Sequence, residues 1–196
     1  MVYRVLRWIA RFLFFLGRVK TEGLEKFPMS GPVIVAANHA SGWDPVVIAA
    51  YLKRPIHYMA KDEFWENKIL AKFFESINAF PVKRGVPDRK ALRMGLEVLE
   101  NGEVLGLFPE GTRSKTGEIS KPHHGIALFA MKTQALVVPV ACIGTKKVFP
   151  LSWFSPVKII YGDPVDYKDY GTKVNTTVLE EISRDIMGRI MNLLQR

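Results

Sequence analysis

The chain has 196 residues, 48% of them apolar, and a formal net charge of +9. This length and composition fit one folded domain with a sizeable core and exclude a mostly disordered chain. The only cysteine, Cys142, excludes an intrachain disulfide framework and a multi-cysteine zinc site. The four histidines show no His-Glu-x-x-His pattern, so the sequence predicts no metal site.

Residues 1–20 are basic and amphipathic. They contain no acidic residue, and the basic ones are Arg4, Arg7, Arg11, Arg18 and Lys20. The arginine spacings of three, four and seven place these side chains on one helical face, with apolar and aromatic residues around them. The apolar run is too short to span a bilayer, and no small-residue cleavage site follows it, as it would in a signal peptide. The pattern favours a helix in the membrane interface with its arginines at the headgroups of anionic lipids, and a helix packed on the domain is the alternative.

Beyond this segment, short β-branched runs alternate with longer amphipathic stretches. The predicted strands are 33–37, 56–60, 77–82, 104–108, 136–141 and 157–161. The predicted helices are 45–52, 64–75, 88–100, 123–132 and 176–194. The alternation predicts an α/β fold in which a single domain has a mixed, mostly parallel sheet flanked by helices. We therefore expect a membrane-associating segment at 1–30 and a catalytic domain at 31–196.

The first motif, residues 38–45, follows the first predicted strand and contains His39 and Asp44. On a continuous helix, residues five apart lie about 140° apart and rarely touch. A strand ending at Ala37 and a helix starting at Asp44-Pro45 would instead fold the loop back, with Asp44 as the N-cap. The carboxylate can then hold one imidazole nitrogen and leave the other free to take a proton. A surface or capping pair is the alternative, and Ser41 lacks the Gly-x-Ser-x-Gly context of a serine nucleophile.

In chain order the third motif is residues 108–114, which begin at the end of the strand predicted at 104–108. Gly111 permits a tight turn, Thr112 offers a hydroxyl, and Arg113 offers a bidentate fork for phosphate. Glu110 is unusual beside a phosphate, so we expect it to orient Arg113 or to accept a hydrogen bond from a substrate hydroxyl. An ordinary turn is the alternative for this string.

The second motif, residues 79–85, brings Lys83 and Arg84 to a loop that contains glycine. At least one of these cations can reach an anion at the edge of the sheet. A solvated basic turn is the alternative.

With these motifs in order, the chain resembles the glycerolipid acyltransferase family, most closely the bacterial lysophosphatidic acid (1-acylglycerol-3-phosphate) acyltransferases. The family's Asn-His-x4-Asp block appears from Asn38 to Asp44, and its Phe-Pro-Glu-Gly-Thr-Arg-Ser block is complete at 108–114. A block at 80–84 that ends in Arg84 after a strand, and a proline-containing strand at 137–140, match two further blocks. The family usually has glycine where Asn78 stands.

The resemblance implies that His39 is the general base and that Asp44 orients it. It further implies a substrate-binding set comprising Asn38, Lys83, Arg84, Glu110, Gly111, Thr112 and Arg113. The activated hydroxyl would attack an acyl thioester directly, on acyl-CoA or acyl carrier protein as co-substrate, with no metal or redox cofactor. The implied partners are lysophosphatidic acid, the acyl donor and an anionic membrane surface, with the protein peripheral or monotopic on the cytoplasmic face of the cell membrane.

Four other functions deserve comparison. Glycerol 3-phosphate or another lysolipid is an alternative acceptor. A phosphatase or esterase would need a metal cluster or covalent nucleophile that the sequence does not offer. A non-catalytic lipid-binding protein would give His39 and Asp44 no functional role. A nucleic-acid binder is compatible with the charge, but no nucleic-acid motif is present, so no nucleic acid is expected as a partner.

Overall fold

The structure is a computed structural model that describes residues 2–16, 19–83, 85–112, 123–147, 156–171 and 174–196. The helices in these ranges are α1 Val2–Leu16, α2 Asp44–Tyr51, α3 Lys68–Ser76, α4 Arg89–Glu100, α5 Gly125–Thr133 and α6 Thr176–Leu194. The strands are β1 Val19–Glu22, β2 Val33–Ala37, β3 Ile56–Lys61, β4 Ala79–Val82, β5 Val104–Leu107, β6 Leu136–Ile143 and β7 Val157–Tyr161.

These strands form one sheet in the order β1-β7-β6-β2-β5-β3-β4. Neighbouring strands are parallel except for β6 and β7, which run antiparallel. The central strand, β2, is buried along its whole length because its Val-Ile-Val-Ala-Ala sequence is apolar on both faces of the sheet. The predicted mixed, mostly parallel sheet is confirmed.

Two differences from the predicted elements have a clear physical cause. The strand predicted at 77–82 begins only at Ala79, because Asn78 has a φ of 60°. Asparagine tolerates this left-handed conformation, which glycine adopts without strain. The helix predicted at 64–75 is divided into a 3₁₀ turn, Asp62–Trp65, and α3. Asn67 starts α3 by accepting hydrogen bonds from the amides of its second and third residues, at 2.8 and 3.3 Å.

Strand β1 was not predicted. It pairs in parallel with β7, with Val19 opposite Val157. Residues 19–22 therefore lie in the sheet, although the predicted division at residue 30 groups them with the N-terminal segment.

Helix α1 packs on α2 through one of its faces. Arg7 donates from Nε and Nη1 to the carbonyls of Ala50 and Lys53, at 3.4 and 3.2 Å. Arg11 lies 5.8 Å from the ring centroid of Tyr51. Arg7 therefore contacts carbonyls at the end of α2, which attract cations, and Arg11 lies over Tyr51 and is exposed. The placement of the arginines at headgroups stays a prediction.

The opposite face of α1 is exposed and apolar. Trp8 is 73% exposed and Phe12 is 65% exposed, and Val2, Val5 and Ile9 are about half exposed. The helix thus has a domain-facing side and an apolar side that nothing in the described residues covers. Among the described helices, none combines the length and apolar character needed to cross a membrane.

Candidate active site

The three sequence motifs follow strands whose carboxyl ends lie on the same side of the sheet. They follow β2, β4 and β5, and these strands point in the same direction. β2 and β5 are neighbours, with Ala36 opposite Leu107. The loops that leave these two strands therefore bring His39 next to Glu110.

His39 and Asp44 form the contact that their spacing predicted. Nδ1 of His39 lies 3.0 Å from Oδ2 of Asp44, which is fully buried. The same oxygen accepts hydrogen bonds from the amides of Ala40 and Ser41, at 2.8 and 2.7 Å. An ionised carboxylate can only accept, so the imidazole carries its proton on Nδ1 and leaves Nε2 as an acceptor.

The start of α2 produces this geometry. Trp43 is the N-cap residue, and Asp44 and Pro45 occupy the first two helical positions. The prediction of Asp44 as the N-cap is wrong, because its carboxylate turns back onto the loop instead of capping α2. Oγ of Ser41 accepts a hydrogen bond from the amide of Trp43 at 3.2 Å, so this serine closes the turn.

Two aromatic rings support the imidazole. Phe108 stacks on His39 with ring centroids 4.0 Å apart, and Tyr58 stacks on Phe108 at 6.0 Å. A side chain at Gly106 in β5 would overlap the Tyr58 ring. Glycine at this buried position therefore makes room for the rings that restrict His39, which is only 8% exposed.

Glu110 holds the backbone of the loop. Its Oε1 accepts a hydrogen bond from the His39 amide at 3.0 Å. Glu110 is 3% exposed, and its Oε2 has no hydrogen-bond partner among the described residues. One oxygen thus positions the dyad, and the bond of the other to a substrate hydroxyl stays a prediction.

Asn38 fixes the other side of the loop. Its side-chain amide donates to the carbonyl of Cys142 at 3.1 Å and accepts from the amide of Cys142 at 2.7 Å. Both polar ends of Asn38 are therefore bonded to β6. These bonds give Asn38 a role in positioning His39, and its predicted contact with the substrate stays a prediction.

The turn of the third motif is tight, as its glycine predicted. Gly111 has a φ of 68°, and its amide donates to the Phe108 carbonyl at 2.9 Å. A Cβ atom at Gly111 would lie 2.6 Å from Cδ2 of His123. His123, which the sequence analysis did not assign to the site, therefore lies against this turn, and Thr112 is exposed beside it.

The predicted phosphate ligands are only partly described. Lys83 is exposed, and its amide donates to Oδ2 of Asp88 at 2.9 Å. Arg84 and Arg113 lie outside the described residues. The binding of phosphate by these three cations stays a prediction.

An apolar cavity of about 480 Å³ has His39 in its wall. This volume lies within the range of small-molecule sites. The other walls come from α1, α2, β3 and the α3 region, and include Tyr3, Leu6, Ala10, Val46, Ala49, Met59, Phe64, Phe73 and Phe74. The sequence analysis missed this cavity and the part that α1 plays in it. Its lining suits a long apolar chain whose reactive end meets the imidazole.

Comparison with known proteins places this site in a family. The profile of the acyltransferase family matches residues 18–143. The 1-acyl-sn-glycerol-3-phosphate acyltransferase of Bacillus subtilis is 32% identical over 90% of this chain and 88% of its own. That of Streptococcus pneumoniae is 27% identical over 98% of this chain and 73% of its own. The chain belongs to the acyltransferase family, as its motifs predicted.

A solved structure has the same fold. The crystal structure of the 1-acyl-sn-glycerophosphate (LPA) acyltransferase from Thermotoga maritima superposes with a TM-score of 0.76 at 28% identity. The match covers 100% of this chain and 80% of that one.

Proposed function

We propose that this protein transfers a fatty acyl chain from an acyl thioester to the free hydroxyl of lysophosphatidic acid, giving phosphatidic acid. The observation that carries the proposal is the His39–Asp44 contact in the wall of an apolar cavity. The His39–Asp44 pair provides a general base, and the apolar cavity suits a fatty chain. The B. subtilis, S. pneumoniae and T. maritima relatives are named for this reaction.

In the proposed reaction, Nε2 of His39 accepts the proton of the acceptor hydroxyl while the hydroxyl oxygen attacks the thioester carbonyl carbon. The C–S bond then breaks, and the imidazolium returns the proton to the departing sulfur. Asp44 holds the imidazole in the required tautomer and stabilises the imidazolium. The departing thiol is that of coenzyme A or of an acyl carrier protein, since both donors present the same thioester.

This mechanism forms no acyl-enzyme. Ser41 closes the turn before α2. Burial raises the pKa of the Cys142 thiol well above its usual range, and the nearby Asp44 raises it further. The thiol is therefore protonated at neutral pH and a poor nucleophile. The proposed chemistry needs no metal or redox cofactor.

The polar head of the acceptor is assigned to the same edge of the sheet. Lys83, Arg84 and Arg113 are the proposed ligands of its phosphate. The free oxygen of Glu110 would accept a hydrogen bond from the glycerol part, beside Gly111 and Thr112. Asn38 is left out of this set because both ends of its amide are bonded to Cys142.

The proposed place of action is the cytoplasmic face of the cell membrane, with the protein peripheral or monotopic. The exposed apolar face of α1 supports this, because Trp8 and Phe12 would be buried by an interface. Arg4, which is exposed on the same helix, would lie among anionic headgroups.

The proposal is tested by thiol release from a long-chain acyl-CoA or acyl carrier protein, with and without lysophosphatidic acid. Release should depend on the acceptor and fall by about 10²–10⁴-fold in His39→Ala, the usual value of a general base. His57→Gln is a matched control, because His57 lies in β3 and is paired with Glu103 at 3.0 Å. Undiminished release in His39→Ala, or no acceptor-dependent release with either donor, would contradict the proposal.

A further inference from the structure

Helix α3 is amphipathic, yet none of its nine residues is buried. Ile69 is 79% exposed, Phe73 46% and Leu70 42%. Phe64, in the 3₁₀ turn before the helix, is 37% exposed. We call these four side chains the α3 apolar face. Single exposed apolar residues are normal on a protein surface, whereas a contiguous row marks a contact surface.

The α3 apolar face is backed by a cluster of rings and is not a frayed end. Phe74 stacks on Phe64 at 4.6 Å between centroids and meets Phe73 edge to face at 5.6 Å. Trp65 lies 5.6 Å from Phe74 and donates from Nε1 to Glu75 at 3.2 Å. The protein therefore holds this apolar row in place at its surface.

The same rings belong to the proposed acyl cavity. Phe64, Phe73 and Phe74 line it together with His39, and α1 lines it as well. Because Phe64 and Phe73 both line the cavity and are exposed, the cavity reaches the surface beside the α3 apolar face. The exposed face of α1 and the α3 apolar face thus flank one cavity.

We propose that the α3 apolar face is a second membrane contact, which enters the interface of an anionic bilayer together with the exposed face of α1. The cavity then opens towards the lipid phase between the two helices. This inference rests on the proposed function, since it is the fatty chains of that reaction that would pass from the bilayer into the cavity.

The charges along α3 are compatible with a bilayer surface. Lys68 and Lys72 have no carboxylate partner among the described residues, and lysine stems readily extend to the headgroups. The Lys61 ammonium is paired with Glu63 at 2.8 Å. Asp62 and Glu66 precede the helix and offset part of the positive charge, so the apolar side chains supply most of the attraction.

A bilayer fits this face better than a protein partner does. The face carries the same combination as the outer side of α1, with exposed aliphatic and aromatic side chains near a cation, Lys68 and Lys72 here and Arg4 there, and it lies on the other side of the same cavity. One planar lipid surface can cover both helices at once and also holds the lipid that the cavity would receive.

The first test places a fluorescent reporter on the face. Cys142 is the only cysteine and is buried, so Ile69→Cys can be labelled selectively with an environment-sensitive nitrobenzoxadiazole group. Vesicles of phosphatidylcholine and phosphatidylglycerol should shift the emission of this label to the blue and strengthen it. Met191→Cys is the matched control, because Met191 is 45% exposed on α6, and its label should not respond.

An unchanged label at residue 69 while the protein sediments with the vesicles would overturn the proposal, as would a failure of the protein to bind them. A label that responds to acyl carrier protein and not to vesicles would overturn it in favour of a protein-docking surface. A label that responds to vesicles in a protein without acyl-transfer activity would leave the membrane contact standing and refute the proposed function.

The second test removes the contact without touching the cavity. Ile69→Ser/Leu70→Ser should weaken partition onto the same vesicles by about tenfold, as expected for two large apolar side chains at an interface. Transfer to a short-chain lysophosphatidic acid that remains monomeric should be unchanged. Val174→Ser/Met191→Ser, at 42% and 45% exposure, is the control pair. Equal partition for the two double variants would overturn the proposal.

Discussion

The loop that carries the catalytic dyad and the helix at the N-terminus are held in opposite ways. Three residues of the loop, Asn38, His39 and Asp44, are buried and bonded to the protein: Asp44 to His39, the His39 amide to Glu110, and Asn38 to Cys142. Helix α1 uses one face to contact α2 and leaves Trp8 and Phe12 exposed. Hydrogen bonds within the protein set the geometry of the site, whereas the uncovered apolar surface is the part that we propose for membrane contact. Substitutions in the loop should change turnover, and those on the outer face of α1 should change location.

The two regions meet at the cavity, which limits the use of truncation. Tyr3, Leu6 and Ala10 of α1 form part of its wall. Deleting residues 1–20 would remove this wall and half of β1 together with the outer face of the helix. Loss of both vesicle binding and activity is expected from such a deletion, so point substitutions are needed to separate the two regions.

The largest effect is expected at Asp44. Asp44→Asn keeps the shape of the side chain but removes the charge that stabilises the imidazolium. Acceptor-dependent thiol release should fall by about 10²–10⁴-fold. Binding to anionic vesicles should stay at the wild-type level, because Asp44 is fully buried. A comparable loss of vesicle binding would show that the two regions are not independent.

The next largest effect is expected for Asn38→Ala, which should lower the stability of the folded protein. It leaves the amide and carbonyl of Cys142 in β6 without their partner, at a cost of about 1–3 kcal/mol in the free energy of unfolding. Urea denaturation measures this, with the exposed Asn101→Ala as control. If Asn38 bound substrate instead, the variant would raise KM with the stability unchanged.

Trp8→Ser/Phe12→Ser should weaken partition onto anionic vesicles by about tenfold or more, because the two side chains are 73% and 65% exposed and available to an interface. Turnover with a monomeric short-chain acceptor should not change, since neither residue lines the cavity. Vesicle co-sedimentation and the soluble assay, run on the same preparation, give both readings. Wild-type partition in this variant would place the membrane contact elsewhere.

The smallest expected effect is on the pH dependence of stability, and it comes from His57 in β3. Burial lowers the pKa of His57, and the charge of Glu103 only partly offsets this. The unfolded chain then binds more protons than the native protein at pH values between the lowered pKa and about 6.5. Stability contributed by neutral His57 is therefore lost as the pH falls through this window and is fully present above it.

His57→Gln should flatten that pH dependence. Urea midpoints measured between about pH 5 and pH 7.5 check it against the wild type. An unchanged slope in the variant would assign the dependence to another group.

Local patterns in the sequence predicted much of the fold. The Val-Ile-Val-Ala-Ala run before Asn38 and the apolar run of β6 are strands that any pairing would bury. β1 was not predicted because Val-Lys-Thr-Glu is short and mostly polar, and it becomes a strand only through its distant partner β7. Asn78 and Asn67 moved element boundaries through backbone and capping geometry that apolar periodicity does not show.

The site likewise has a part that the local sequence predicted and a part that depends on distant segments. The spacing of His39 and Asp44 was enough to predict their contact, because the loop between them is local. The bonds of Glu110 and Asn38 were not predictable, since each depends on the register of a neighbouring strand, β5 in one case and β6 in the other. The cavity was missed because its walls come from four separate parts of the chain.

The most direct test of the central claim, that His39 and Asp44 act as one unit, is a double-mutant cycle. Acceptor-dependent thiol release would be measured for His39→Ala, Asp44→Asn and the double variant. Because Asp44 acts only through the imidazole, the double variant should be no slower than His39→Ala alone. A double variant whose loss equals the product of the two single losses would show that the residues act independently and would contradict the dyad.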